Sequence, residues 1–149
     1  MNRFLSILNM VLPVFLGGLI YISYRSVDLS MFLWFTKLGL VEQVWEMRSL
    51  VESNKWISNP SRFTLYCLPD GLWTYSMTSS FTYVWRENYK EGAPWILFGV
   101  SIGVLSEFAQ MFNLVSGVFD IGDIFAYVSF FMIAFFVQSN FNKKLNKFT

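Results

Sequence analysis

The sequence predicts an all-α, polytopic membrane protein: a four-helix transmembrane bundle with an interfacial amphipathic helix in its first loop. Hydrophobic residues make up 54% of the 149-residue chain and charged residues only 14%, which is far from the composition of a soluble domain. Four segments are apolar over about the 20 residues that a helix needs to cross a bilayer. Because the length suits one domain, we expect a single transmembrane domain over residues 1–149.

The four predicted spans cover about residues 4–24, 63–85, 95–112 and 119–138. The first span has the short basic start and apolar centre of a signal peptide, but no A-x-A-like cleavage site follows it. We therefore expect this segment to be retained as a helix.

The interfacial segment is predicted at about residues 31–52, within the long first loop. Its first part, "MFLWF", is too short to span a membrane. The following stretch, "LVEQVWEMRSLV", places apolar residues such as Val44 and Trp45 at helical spacing, between charged residues such as Glu42 and Glu46. This pattern fits a helix lying along the membrane interface with its tryptophan among the headgroups, and equally a helix packed over the bundle.

The second span begins with "LPDG", and proline is favoured at the first position of a helix. We therefore expect a regular helix to begin at Pro69, with Asp70 in its first turn near the positive end of the helix dipole. Thr74, Thr78 and Thr82 follow at steps of four and form one polar stripe. Such a stripe is typical of helix packing in membranes, and it also fits a ligand-binding wall.

The third span carries Gly99-x-x-x-Gly103, followed on the same helical face by Ser106, Glu107 and Gln110. Small residues allow close approach of a neighbouring helix, so this face is expected to pack against another span.

Four carboxylates, those of Asp70, Glu107, Asp120 and Asp123, stand at the start of the second span, the end of the third and the start of the fourth. Because the chain reverses direction at each crossing, these three helix ends lie on the same side of the membrane. We expect the carboxylates to converge there, with Gln110 or backbone N–H groups at the helix starts as partners for Glu107. Two interpretations remain open: a ligand-binding pocket, or residues that only cap the last helix.

The stretch "GVLSEFAQMFNLVSGVFDIGDIFAY", residues 103–127, resembles the signature of the VanZ-like membrane protein family. In that family a helix ending in Glu-x-x-Gln is followed by a short loop and a helix start with an Asp-x-x-Asp-like pattern. Glu107, Gln110, Asp120 and Asp123 match these positions. The resemblance implies a small bacterial multi-span protein without an established reaction. The chain lacks the histidine and the loop arginine that are usual in the family.

Several classes of chemistry are excluded by residue content. The chain has no histidine and only one cysteine, Cys67, so it has neither an intrachain disulfide nor a histidine base. No basic cluster interleaved with aromatic residues indicates binding of nucleic acid. The sequence points to no catalytic residue, no cofactor and no metal site.

The function that the sequence favours is binding of a lipid headgroup or another amphiphile in an acidic pocket on the non-cytoplasmic side. Trp56, Tyr66, Trp73 and Tyr75 are expected to border this pocket. The carboxylates would repel an anionic headgroup unless a metal ion bridged it or Arg62 reached the site. The candidate ligand-binding residues are Glu107, Gln110, Asp120, Asp123, Asp70 and Thr74.

Two alternatives remain open at this point. One is a small subunit that packs on other membrane proteins or on copies of itself, since its helices carry much apolar aromatic surface. The other is an intramembrane aspartyl-type hydrolase, because "DIGD" is close to the Gly-x-Gly-Asp motif and Asp70 could be the second aspartate. The residues do not decide whether the protein is an enzyme, and they favour binding.

The distribution of basic residues predicts the orientation in the membrane. Six of the eleven lysine and arginine residues lie on the side of both termini and five on the other. The rule that basic residues stay inside therefore places the N- and C-termini in the cytoplasm. We expect a multi-pass protein of a bacterial inner membrane whose partners are membrane lipids, with other subunits or itself as further candidates.

Overall fold

The computed structural model describes residues 3–27, 30–54 and 58–145. These residues form α-helices and no strands, which confirms the all-α class. The six helices are α1 (Arg3–Tyr24), α2 (Ser30–Lys37), α3 (Val41–Ser53), α4 (Arg62–Val84), α5 (Tyr89–Met111) and α6 (Ile121–Leu145).

The four long helices, α1, α4, α5 and α6, pack side by side with α4 at the centre, in contact with the other three. The glycines show how the helices run. Gly17 of α1 lies against the Pro69 carbonyl of α4, and Gly71 of α4 lies against the Phe130 ring of α6. Further along α4, Ser79 meets Asn9 of α1 and Thr82 meets Asn142 of α6. Met77 and Trp85 lie against Gly99 and Gly92 of α5. As residue numbers rise along α4, those of the contacting residues fall along α1 and α5 and rise along α6, so α1 and α5 run antiparallel to α4 and α6.

Three of the long helices, α1, α5 and α6, are long and apolar enough to cross a membrane, with mean hydropathies of 2.1, 1.4 and 1.8. Helix α4 has 23 residues, as many as α5, but it is not among these candidates. Its hydropathy is low because its buried positions are mostly small or hydroxylated: Cys67, Pro69, Gly71, Thr74, Ser76, Thr78, Ser79 and Thr82. These residues face neighbouring helices, so the polarity of α4 follows from its central position.

The distribution of side chains between surface and interior is the reverse of that in a water-soluble protein. Large apolar side chains such as Phe15, Leu105 and Phe125 are 61–68% exposed, whereas Gln138 and Asn142 are at most 2% exposed. Lipid solvates apolar side chains, and polar groups then turn inward to find partners. Together with the three candidate spans, this arrangement indicates a membrane protein.

The start of α4 corrects one sequence prediction. The helix begins at Arg62, where the Ser61 side chain accepts a hydrogen bond from the Thr64 N–H at 3.2 Å. Pro69 therefore lies inside the helix, and Asp70 is its ninth residue rather than part of its first turn. The expectation that the helix dipole stabilises the Asp70 carboxylate is wrong, because that effect is confined to the first turn.

Two other long helices extend beyond the predicted spans. Helix α5 begins at Tyr89, capped by the Asn88 side chain, and it includes Pro94. Helix α6 continues from Ile121 to Leu145 rather than ending at residue 138. Buried amide side chains on its last turns keep this end packed against the other helices, which an apolar window cannot detect.

The predicted interfacial segment forms two short helices, with Gly39 between them at a φ of +70°. Helix α3 packs on the end of α1, where an Arg48 amino group donates to the carbonyls of Ile22 and Arg25 at 3.2 and 3.0 Å. None of the residues of α3, a fully described helix, is buried, and Trp45 is 54% exposed. The segment therefore lies on the end of the bundle, and Arg48 attaches it there.

Candidate functional site

The four carboxylates of Asp70, Glu107, Asp120 and Asp123 come together where α1 and α5 end and α4 and α6 begin. We call this region the acidic end. A Glu107 carboxylate oxygen accepts a hydrogen bond from the Asp120 N–H at 2.9 Å, which joins α5 to the start of α6. The Asp70 carboxylate of α4 lies within electrostatic range of Asp123 and Glu107. The convergence that topology predicted is present.

Glu107 and Asp120 have local structural roles. Glu107 is 2% exposed, and its partner is the backbone of Asp120. An Asp120 carboxylate oxygen accepts from the Gly122 N–H at 2.8 Å, so Asp120 caps the start of α6. The sequence predicts either Gln110 or a backbone N–H group as the partner of Glu107, and the structure shows the backbone N–H. For these two acids, the capping interpretation accounts for the contacts.

Asp70 and Asp123 have no comparable role in capping a helix. One carboxylate oxygen of Asp123 is inaccessible to solvent and has no hydrogen-bond partner among the described residues. The thiol of Cys67, itself 5% exposed, lies beside it. Asp70 faces the Tyr127 hydroxyl, whose ring packs so closely on Gly103 that a Cβ atom there would be 2.9 Å from it. Asp70 also lines cavities between the helices, so of the two it is the carboxylate that a ligand can reach.

Two cavities meet at Asp70 and Trp73. The first, of about 240 Å³, lies between α4 and α5, and Thr74 and Tyr127 are in its lining. The second, of about 510 Å³, lies between α1 and α4 and reaches Tyr21. Trp73 is 57% exposed between them. A ligand in either cavity would contact a carboxylate and an aromatic ring.

A third cavity, of about 610 Å³, lies between the starts of α4 and α6. Its lining includes Arg62, Cys67 and Asp120. Arg62, which the sequence suggests as a partner for an anionic headgroup, thus lies beside the acidic end.

Arg25, just after the end of α1, was not foreseen at this site. Its guanidinium lies over the rings of Tyr21 and Tyr66, 5.0 and 4.7 Å from their centres, and within electrostatic range of Asp70. It forms no ion pair with Asp70, since the pair between Arg86 and Glu87 is the only one among the described residues. The order and direction of the helices could have predicted this position, because the end of α1 lies on the same side of the bundle as the start of α4.

The contacts of Gln110 and Tyr75 are with groups other than the carboxylates. The Gln110 amide fills the space beside Gly117, which has a φ of +144°, where a Cβ atom would be 2.6 Å from the Gln110 side chain. Gln110 therefore supports the loop between α5 and α6. The Tyr75 hydroxyl donates to Asn9 at 2.7 Å, nearer the opposite end of the bundle. Trp56, also expected at the pocket, is outside the described residues.

A second polar cluster, not anticipated from the sequence, lies towards that opposite end. We call it the amide network: Asn9 of α1 with Gln138 and Asn142 of α6. The Asn9 amide donates to Gln138 at 3.0 Å, and the Gln138 amide donates to Asn142 at 3.1 Å. The Asn142 amide donates to the Thr82 carbonyl at 2.9 Å and to the Tyr89 hydroxyl at 3.0 Å. All four long helices are thus joined by one chain of hydrogen bonds.

The described residues include no group of three or more acidic or thiol side chains arranged to hold a metal ion. No protein-family model, curated protein or solved structure matches the chain.

Proposed function

We propose that this chain is a VanZ-like integral membrane protein whose acidic end binds the polar headgroup of a lipid or another amphiphile. In this proposal α4 is a fourth span. Its 23 residues rise about 34 Å, enough to cross the hydrocarbon layer. Its hydroxylated positions are covered by the surrounding helices, so they do not prevent insertion.

The proposed orientation places both termini in the cytoplasm of a bacterial cell, with the protein in the inner membrane. The balance of basic residues supports it, although residues 1–2 and 146–149 lie outside the described structure. The acidic end then lies towards the non-cytoplasmic face, where the headgroups of the outer leaflet are within reach.

The observation that carries the proposal is the position of Asp70, a carboxylate between two cavities that forms no ion pair with any cation of the described residues. A charged group within a membrane protein is costly unless it finds a partner. A positively charged group of a ligand would supply that partner. Trp73 and the apolar lining around it would accommodate the rest of an amphiphile, since aromatic faces attract cations and apolar walls bind hydrocarbon.

A binding assay with a cationic amphiphile tests this proposal. The purified full chain in neutral detergent is titrated with an alkylammonium detergent, and tryptophan fluorescence is followed. We expect saturable quenching in the wild type and, for Asp70→Asn, affinity lower by at least about tenfold, because a close charge pair is lost. Thr74→Val is expected to have a smaller effect, through the cavity lining alone.

Glu87→Gln is the matched control, because Glu87 lies near the opposite end and its side chain is 82% exposed. Its affinity is expected to equal that of the wild type. Quenching that does not saturate, or equal loss of affinity in Asp70→Asn and Glu87→Gln, would contradict the proposal.

The proximity of Asp70 and Asp123 also favours one further candidate, an aspartyl-type hydrolase, in which two carboxylates share a proton and activate water. This function requires cleavage of a peptide substrate by the wild type and its loss in both Asp70→Asn and Asp123→Asn. Retained cleavage in either variant would eliminate it.

A further inference from the structure

The cavity between α1 and α4 is lined by Asp70 and by Tyr21, and the Arg25 guanidinium lies over the Tyr21 ring. We propose that this cavity binds a zwitterionic phosphoethanolamine headgroup, with the ammonium group at Asp70 and the phosphate at Arg25. This inference rests on the proposed headgroup-binding function and specifies the class of ligand.

The guanidinium of Arg25 has no ion-pair partner among the described residues. Its Nε atom is buried and has no hydrogen-bond partner among them. The rings of Tyr21 and Tyr66 fix its position. A guanidinium presents a planar set of donors that matches phosphate oxygens, and a fixed one loses little conformational entropy on binding. Arg25 follows directly after α1, where a span meets the headgroup layer.

The two charges are close but not joined. Arg25 acts electrostatically on Asp70, yet its nitrogens do not approach the carboxylate within ion-pair distance. The cavity of about 510 Å³ is lined by Asp70 and by Tyr21, the ring on which Arg25 lies. This volume is within the range of small-molecule sites. A headgroup carrying both charges could bridge the gap that the side chains leave.

Ligands of a single charge fit this cavity less well. A purely cationic headgroup would be repelled by Arg25, and a purely anionic one by Asp70 and the nearby Asp123 and Glu107. Complementary charges give specificity because a wrong pairing is penalised. A primary ammonium group also donates hydrogen bonds to a carboxylate, and Trp73 offers it an aromatic face.

A lipid competition experiment tests the inference. The full chain in neutral detergent is titrated with three lipids that share the same acyl chains: phosphatidylethanolamine, anionic phosphatidylglycerol and a cationic trimethylammonium lipid. Bound lipid is measured by native mass spectrometry. We expect the wild type to prefer phosphatidylethanolamine over each of the others by at least about tenfold.

The variants assign each charge to its side chain. Arg25→Gln is expected to lose the preference over the cationic lipid, and Asp70→Asn the preference over the anionic lipid. Arg25→Lys, which keeps the charge but not the planar donors, is expected to retain more of the preference than Arg25→Gln. Equal loss of all lipid binding in both variants would instead indicate a loss of folding. Arg86→Gln is the control, because Arg86 pairs with Glu87 far from the cavity.

The possible outcomes separate this inference from the proposed function. If the cationic lipid binds the wild type as tightly as phosphatidylethanolamine, or if Arg25→Gln keeps the wild-type preferences, the zwitterion inference is wrong and headgroup binding stands. If none of the lipids binds saturably, the zwitterion inference fails, and the alkylammonium titration decides the proposed function. Saturable binding of soluble phosphoethanolamine would support recognition of a free zwitterion, whereas binding of the lipid form alone would support a membrane source.

Discussion

At the amide network, groups from all four long helices are hydrogen-bonded to one another, whereas at the acidic end carboxylates meet with few bonded partners. Asn9, Gln138 and Asn142 each take part in hydrogen bonds of 3.0 to 3.1 Å with another member of the network. By contrast, Asp123 has a buried oxygen without a partner, and Asp70 forms no ion pair among the described residues.

The contrast distinguishes polar groups that support the fold from polar groups that oppose it. A fully bonded network in a low-dielectric interior holds helices in one register. Unpartnered carboxylates lower stability and persist where a ligand or a reaction uses them. Mutations in the amide network should therefore lower the free energy of unfolding, whereas removal of a charge at the acidic end should raise it. Only mutations at the acidic end should change ligand affinity.

The largest expected loss of stability comes from removing the end of the amide network. Asn142→Ala removes the acceptor of the Gln138 amide and the donor to the Thr82 carbonyl and the Tyr89 hydroxyl. Each buried group left unpaired costs about 1–3 kcal/mol, so the free energy of unfolding should fall by at least about 2 kcal/mol. SDS titration of the detergent-solubilised protein measures this. A loss below about 0.5 kcal/mol would show that the network does not support the fold.

A loss of about 1–3 kcal/mol is expected for Gly103→Val, which forces the Tyr127 ring away from α5. Because Tyr127 faces Asp70, binding of the cationic amphiphile should weaken as well. Gly18→Ala is the control for stability, because a Cβ atom there meets nothing within 4 Å. Its stability should be equal or slightly higher. Equal effects of the two substitutions in the same titration would contradict the described packing.

Removal of a charge at the acidic end should have the opposite sign. Asp123→Asn replaces a carboxylate that lies near Asp70 and the Cys67 thiol. We expect the free energy of unfolding to rise by about 1 kcal/mol, since repulsion and the cost of a buried charge are removed. A thermal melt followed by native tryptophan fluorescence reports the change. A clear fall in the melting temperature would mean that Asp123 supports the fold.

The smallest expected effect is local. Arg48→Gln removes two hydrogen bonds to carbonyls at the end of α1, worth about 1 kcal/mol together or less at this partly exposed site. Amide hydrogen exchange in α3 should become faster, while exchange in α4 and α6 remains unchanged. Arg62→Gln serves as the comparison, because Arg62 lies at the start of α4 and should not alter exchange in α3. Unchanged exchange in α3 would contradict the attachment by Arg48.

The sequence was sufficient for the helices and for the meeting of the carboxylates, because both follow from apolar length and alternation of direction. It was misleading at Pro69, where a common helix-start signal stands inside a helix that Ser61 had already begun. Proline is tolerated there because one missing hydrogen bond does not unfold a helix enclosed by others.

The amide network and Arg25 were missed for a different reason. Asn9, Gln138 and Asn142 lie on two helices more than a hundred residues apart in the chain, so their contact depends on packing angles that no local pattern reveals. The order of the helices could have predicted that Arg25 lies near Asp70. Its stacking on Tyr66 depends on side-chain conformation, which the sequence does not reveal.

The acidic end exists only if the starts of α4 and α6 are in contact. An engineered disulfide between these two helix starts tests that contact directly. A Cβ atom at Gly122 would lie 3.0 Å from the Cys67 sulfur, close to the geometry of a disulfide. In Gly122→Cys, mild oxidation should protect both thiols from alkylation and yield a linked peptide after digestion. Gly18→Cys, facing open space, should leave Cys67 reactive. Two free thiols in oxidised Gly122→Cys would contradict the arrangement proposed for the site.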